Sequence, residues 1–232
     1  MNIIITGASK GIGYAIAEIF AANGHDLYLT SKTVSSLDQA VATLRDQFPS
    51  IHIESCAADL SVKSEVVNFS KWCLEKTTPH ILVNNAGNFV PGKLQDEEDG
   101  QLEQQLNTNL FSAYHLTRAL LPAMLNNKLG HIFNICSIAS LSAYENGGAY
   151  SISKFALLGF SKNLRLELKD TGIKVTAVCP GAVFTNSWAG SGVDPKRIME
   201  ASDIAKMIYA ATQLSAQAVV EDIVMRPQLG DL

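Results

Sequence analysis

The stretch NIIITGASKGIGYAIAEIFAANG, residues 2–24, decides the fold. Its first five residues, NIIIT, centre on three consecutive β-branched apolar side chains, Ile3 to Ile5, the composition of a buried strand. Ile16, Ile19 and Phe20 then recur at helical spacing, and Gly24 stands where a helix of that register would stop. Between strand and helix lie Gly7, Gly11 and Gly13. Glycines in such a turn permit tight backbone angles and let a pyrophosphate approach the amides of a helix N-terminus. The spacing is GxxxGxG rather than the more familiar GxGxxG. A purely structural turn could use the same glycines, so the other strand ends must decide.

Working outward, six further β-rich runs follow: DLYLT, IHIESC, HILVNN, HIFNIC, KVTAVC and VVEDIVM, all but the last succeeded by a helix-like segment. This alternation predicts an α/β, doubly wound parallel sheet of about seven strands with helices on both faces. No repeat or linker interrupts residues 1–232, which read as one domain. In such sheets ligands bind beyond the carboxyl ends of the strands. Those ends carry small or hydrogen-bonding residues: the glycine turn, Asp59-Leu60, Asn84 to Gly87, Ser137, and Pro180 to Thr185.

A net charge of −4 without basic clusters argues against nucleic acid and anionic membranes as partners and leaves a small anionic ligand open. Without a signal-like leader or a run of ~18 apolar residues, a cytoplasmic protein is expected. Cys56, Cys73, Cys136 and Cys179 show no CxxC pair and read as reduced core thiols. The five histidines have no metal-ligand spacing, and no metal site is expected.

YSISK, Tyr150 to Lys154, places a phenol and an ammonium one helical turn apart. YLTSK, Tyr28 to Lys32, has the same spacing, but in a strand at ~3.3 Å per residue that pair would be separated by roughly 13 Å. Tyr28 therefore reads as core packing. Ser137 lies thirteen residues before Tyr150, so a strand end and the next helix can turn both hydroxyls toward one carbonyl oxygen. Lys154 is expected to favour the phenolate and lower the Tyr150 pKa, making it useful in proton transfer.

Taken in order, TGASKGIG, Asp59-Leu60, NNAG, Asn109 in NTNL, Ser137, YSISK and PGAVFT resemble the short-chain dehydrogenase/reductase family over essentially the whole chain. The resemblance implies a Rossmann-type fold, a nicotinamide cofactor and a catalytic set of Asn109, Ser137, Tyr150 and Lys154. In family terms Lys154 also binds the nicotinamide ribose, and Asn109 holds a water that connects Lys154 to solvent. It places the cofactor against Gly7, Ser9, Lys10, Gly11, Ile12, Gly13, Ser31, Lys32, Asp59, Leu60, Asn85, Ala86, Gly87, Tyr150, Lys154, Pro180, Gly181, Val183 and Thr185. Cys136 departs from the family by replacing a common second serine, and Cys179 stands before Pro180 where Asn is also common.

The implied activity is an NADP(H)-dependent oxidoreductase interconverting a ketone or aldehyde and an alcohol. The rival is a catalytically idle dinucleotide-binding sensor or scaffold; the Tyr/Lys pair beside Ser137 disfavours it, since binding alone does not require that pair. NADP(H) is expected over NAD(H). NAD-preferring Rossmann proteins usually carry an acid at the end of the second strand, but here Asp26 is at its entrance while Ser31 and Lys32 stand at its exit, with Lys10 in the glycine turn. Residues 186–201, including Trp188, are expected to form a short substrate lid. Lid and tail are similar to those of general carbonyl, hydroxy-acid or sepiapterin-type reductases without selecting among them. The helices through QLNTNLFSAYHLTRALLPAMLNN and FALLGFSKNLRLEL are apolar over a wide arc, and such helices commonly pair across two-fold axes in the family, so a homodimer or homotetramer is expected.

Overall fold

The computed structural model describes residues 1–185, 188 and 192–232. Of the expected lid, Asn186, Ser187, Ala189, Gly190 and Ser191 lie outside the described residues.

Seven strands form one sheet: β1 (Asn2–Thr6), β2 (Asp26–Thr30), β3 (Ile53–Ser55), β4 (Ile81–Asn84), β5 (Gly130–Ile135), β6 (Ile173–Pro180) and, last in the chain, β9 (Asp222–Met225). They lie in the order β3-β2-β1-β4-β5-β6-β9, and every neighbouring pair is parallel. The chain winds outward from β1 to β3, then returns to the other side of β1 with β4. The strand order therefore reverses between β1 and β4, and in open α/β sheets the carboxyl edge at such a switch point is where ligands bind.

Both faces of the sheet are covered, which is why the strands read as unbroken apolar runs rather than alternating ones. Ile3 and Ile5 point to the face covered by α1 (Gly11–Ala22), α2 (Val34–Gln47) and α7 (Ala201–Thr212). Ile4, Leu82 and Ile132 point to the opposite face, against α3 (Lys63–Lys76), α5 (Ser112–Asn127) and α6 (Gly148–Leu168). Tyr28 belongs to this second cluster, 5% exposed with its ring edge-on to Trp72, as expected for core packing.

Helix α1 ends as its sequence indicates. Gly24 adopts φ +80° and its amide donates to Ala21 O, while His25 N reaches back to Phe20 O, closing the last turn with a residue that tolerates the left-handed region.

Two features differ from the sequence reading. The segment from Gln101 to Asn127 is not one regular helix: α4 (Gln101–Leu106) runs into a π-helical turn, Asn107–Phe111, before α5 begins. Such a turn inserts an extra residue into the helical ladder and re-aims the side chain it carries, here that of Asn109. Two short strands, β7 (Val183–Phe184) and β8 (Met199–Glu200), pair in parallel apart from the main sheet. They tie the segment after β6 to the start of α7.

Candidate active site

At the first strand end, Gly7 and Gly11 take φ +63° and +57°, so only glycine fits there without strain. A Cβ on Gly13 would lie 2.3 Å from Gly7 O and 2.5 Å from Asn85 Nδ2. The turn is thus packed against the loop after β4. Thr6 provides the link: its hydroxyl oxygen accepts from Asn85 N at 2.9 Å and Ala86 N at 2.8 Å, and Asn85 Nδ2 donates to Thr6 O and Gly7 O. At the start of α1, Lys10 offers no side-chain cap to the helix amides. An open helix N-terminus over a glycine cradle fits a pyrophosphate.

The neighbouring strand ends approach this cradle. Ala8 N donates to Thr30 O, which brings the β2 exit beside the turn, and a Cβ on Gly11 would touch Thr185 Cγ2 at 3.1 Å. Lys32 does not stand free: its Nζ pairs with Asp59 Oδ2 at 2.8 Å, with the lysine 74% exposed. Burial pushes the Asp59 carboxyl up, and hydrogen bonds from Lys32 and from the Ser61 hydroxyl and amide outweigh it and hold the group below its ordinary range. The two residues named separately in the sequence for cofactor contact are thus partners of each other.

Beyond β5, Ser137 caps a short 3-10 turn, accepting from Ala139 N at 3.1 Å, so its hydroxyl proton remains available for another acceptor. Ser151 Oγ donates to Ala139 O at 3.0 Å, fastening that turn to α6. Tyr150 lies one residue earlier on α6, and its phenol is close enough to Ser137 for that hydroxyl to pull its pKa down. One turn on, Lys154 is 5% exposed. Its Nζ donates to Ile135 O at 2.8 Å and lies 5.9 Å from the centroid of the Tyr150 ring.

The electrostatics differ from the expectation drawn from YSISK. Burial pushes the Tyr150 phenol above its ordinary value of 10.0; the Ser137 hydrogen bond pulls down but does not offset this. Burial likewise pushes the Lys154 ammonium down. In this geometry Lys154 does not lower Tyr150, because its ammonium is turned to a backbone carbonyl and both groups are disfavoured in their charged forms.

Asn109 is 1% exposed and fully engaged. Its Oδ1 accepts from Asn88 N at 2.9 Å, and its Nδ2 lies within reach of Asn88 O, Gln105 Oε1 and Ser153 Oγ. A Cβ on Gly87 would meet Asn109 Oδ1 at 3.0 Å and Lys154 Nζ at 3.6 Å. Asn109, Gly87 and Lys154 are therefore brought together, as the motifs suggested. Asn88, Gln105 and Ser153 were missed, since nothing in their local sequence marks them. Phe89 was missed too; it is 45% exposed and packs edge-on against Tyr150 with centroids 4.8 Å apart.

The family model described as short chain dehydrogenase matches residues 1–195. The chain belongs to the short-chain dehydrogenase family. This short-chain dehydrogenase is 34% identical over 240 residues to a sepiapterin reductase of Chlorobaculum tepidum, covering 99% of the chain and 97% of the relative. Among solved structures it is similar to an alcohol dehydrogenase from the archaeon Thermococcus sibiricus complexed with 5-hydroxy-NADP, at TM-score 0.91 and 25% identity, over 100% of this chain and 98% of that one. A metagenomic short-chain oxidoreductase in complex with NADP is similar at TM-score 0.84 and 30% identity, over 98% and 97% of the respective chains.

Proposed function

We propose that this short-chain dehydrogenase interconverts a ketone or aldehyde and the corresponding alcohol, with NADP(H) as cofactor and Tyr150 as the proton-transferring group. The reading is carried by one juxtaposition: a phenol in reach of a serine hydroxyl, with a buried ammonium one turn away, beside a glycine cradle built for pyrophosphate.

Gly7 to Gly13 with the α1 amides would hold the pyrophosphate, Asp59, Leu60 and Asn85 to Gly87 the flanking parts of the dinucleotide, and Pro180 to Thr185 its other side. Lys10, Ser31 and Lys32 would receive a 2′-phosphate. The bound dinucleotide supplies or accepts the hydride. In carbonyl reduction Tyr150 gives its O–H proton to the carbonyl oxygen, and Ser137 donates a hydrogen bond to that same oxygen. Asn109 and Lys154 hold the surrounding polar groups in register. Two similar structures at 25% and 30% identity, one complexed with 5-hydroxy-NADP and the other with NADP, support the choice of dinucleotide. The residues that follow β2 in sequence, Ser31 and Lys32, include no acid, which supports the 2′-phosphorylated form even though Asp59 reaches Lys32 from the loop after β3.

The test is a panel of ketones, aldehydes, 3-oxo esters, hydroxy acids and sepiapterin, followed by nicotinamide absorbance with both cofactors. Tyr150→Phe should lower kcat by at least ~10²-fold while NADPH affinity stays near that of the parent. Near-parental turnover in that variant would remove Tyr150 from the mechanism.

A further inference from the structure

We infer that Glu97 is a positioning residue for Tyr150: it caps the first turn of the tyrosine-bearing helix and seats the loop that lays Phe89 against the phenol. The inference rests on the oxidoreductase reading above and deepens it.

Helix α6 begins without a cap of its own. Gly147 stands at its N-cap and makes no side-chain hydrogen bond, leaving the first amides without an intrahelical partner. Glu97, distant in sequence, supplies one: its Oε1 accepts from Ala149 N at 2.7 Å. Ala149 precedes Tyr150. A carboxylate at a helix N-terminus gains from a charge-assisted hydrogen bond and from the helix dipole.

The surroundings are shaped for that side chain. Gly148 has φ +39°, and a Cβ there would fall 2.0 Å from Glu97 Oε1 and 2.6 Å from Gly92 O. Gly92 N in turn donates to Asn146 O at 3.0 Å. Loop and helix start are thus joined twice, once through backbone and once through Glu97. Within the acidic run Asp96 to Asp99, only Glu97 is partly buried; its three neighbours are exposed. The same loop carries Phe89 onto the Tyr150 ring. Removing the carboxylate should therefore loosen both the backbone one residue before Tyr150 and the aromatic packed on its face.

The test uses the full chain with Glu97→Ala, Glu97→Gln and the exposed neighbour Glu98→Ala. Amide hydrogen exchange over residues 148–152 should accelerate about 5-fold in Glu97→Ala, the scale of losing one helix cap, and kcat should fall about 10-fold with little change in NADPH affinity. Glu97→Gln keeps an acceptor oxygen and should restore kcat to within about 3-fold of the parent. Glu98→Ala should match the parent in both measurements. Unchanged exchange and kcat in Glu97→Ala would overturn the inference, as would a glutamine variant as impaired as the alanine one. A parent protein that reduces no carbonyl sinks the proposed function instead, and the exchange comparison still decides whether Glu97 holds the helix start.

Discussion

Gly13→Ala is the sharpest probe of the cradle, because the structure says what the added methyl meets. Its Cβ would sit 2.3 Å from Gly7 O, 2.5 Å from Asn85 Nδ2 and 2.9 Å from Gly7 C. The nearest of these is backbone, held in a turn at φ +63°, and cannot swing aside as a side chain could. Overpacking of this kind costs about 1–3 kcal/mol. Displacing Asn85 also weakens its bonds to Thr6 O and Gly7 O, at about 0.5–1.5 kcal/mol each. The sum is about 2–6 kcal/mol, or a fall in Tm of roughly 4–24 °C for a chain of this size. Urea unfolding with an unchanged m-value would report the stability loss, and quenching of protein fluorescence by NADPH would report affinity, expected to drop by more than ~10-fold because the amides facing the pyrophosphate shift with the turn. A Gly13→Ala protein within ~0.5 kcal/mol of the parent and binding NADPH normally would refute the close-packed cradle, since ordinary surface substitutions fall in that range.

The unmodified protein should favour NADPH over NADH in kcat/KM by roughly 10-fold or somewhat more, at the low end for a cation pair because Lys32 is exposed and already shared with Asp59. Lys32→Asp should erode or reverse that ratio, and equal kcat/KM with NADH in the parent would overturn the assignment. Because burial raises the Tyr150 phenol above 10.0, the difference in tyrosinate absorbance between the parent and Tyr150→Phe, both without added nucleotide, should show no ionisation below about pH 10; a titration near pH 8 would contradict the geometry. Phe111, Ile152, Phe155 and Leu166 are between 41% and 64% exposed on the π turn and α6, and a two-fold oligomer should cover them. Sedimentation at micromolar concentration showing only a 25.0 kDa species would refute association.

The fold was legible where local physics and tertiary environment agree. Ile3, Ile4 and Ile5 point alternately to two covered faces, so the middle of NIIIT is apolar without alternation and announces a doubly covered strand. The glycine turn was legible because positive φ and close backbone approach select one residue type. What the sequence hid depends on through-space pairing. Asn109 could be named, but its partners Asn88, Gln105 and Ser153 could not, as they converge only through the π turn and the approach of α4 to α6. Cys136 and Cys179 read as isolated thiols, yet Ile135 pairs with Val178 in register and the two cysteines that follow belong to one buried cluster. Spacing put Tyr150 and Lys154 on one turn correctly, but it could not say that the ammonium would bend back to Ile135 O.

That buried ammonium also weighs the enzyme against the idle binder. Among the described residues no carboxylate lies within ion-pair distance of Lys154 Nζ, which donates to the backbone carbonyl of Ile135. Holding an ammonium there costs several kcal/mol unless other groups compensate it, and even buried ion pairs are often replaced by apolar residues of similar volume without loss of stability. A scaffold would therefore be better served by methionine. An enzyme is not, because in the proposed function Lys154 holds the polar groups around the phenol in register, and methionine has no N–H with which to do so. Lys154→Met should accordingly hold or raise the melting temperature while turnover is lost, the pattern of a residue kept at the expense of stability for function. If Lys154→Met instead unfolds by more than about 2 kcal/mol more easily than the parent, the lysine is a structural tie to Ile135 and the distinction between enzyme and scaffold must rest on Tyr150 and Ser137 alone.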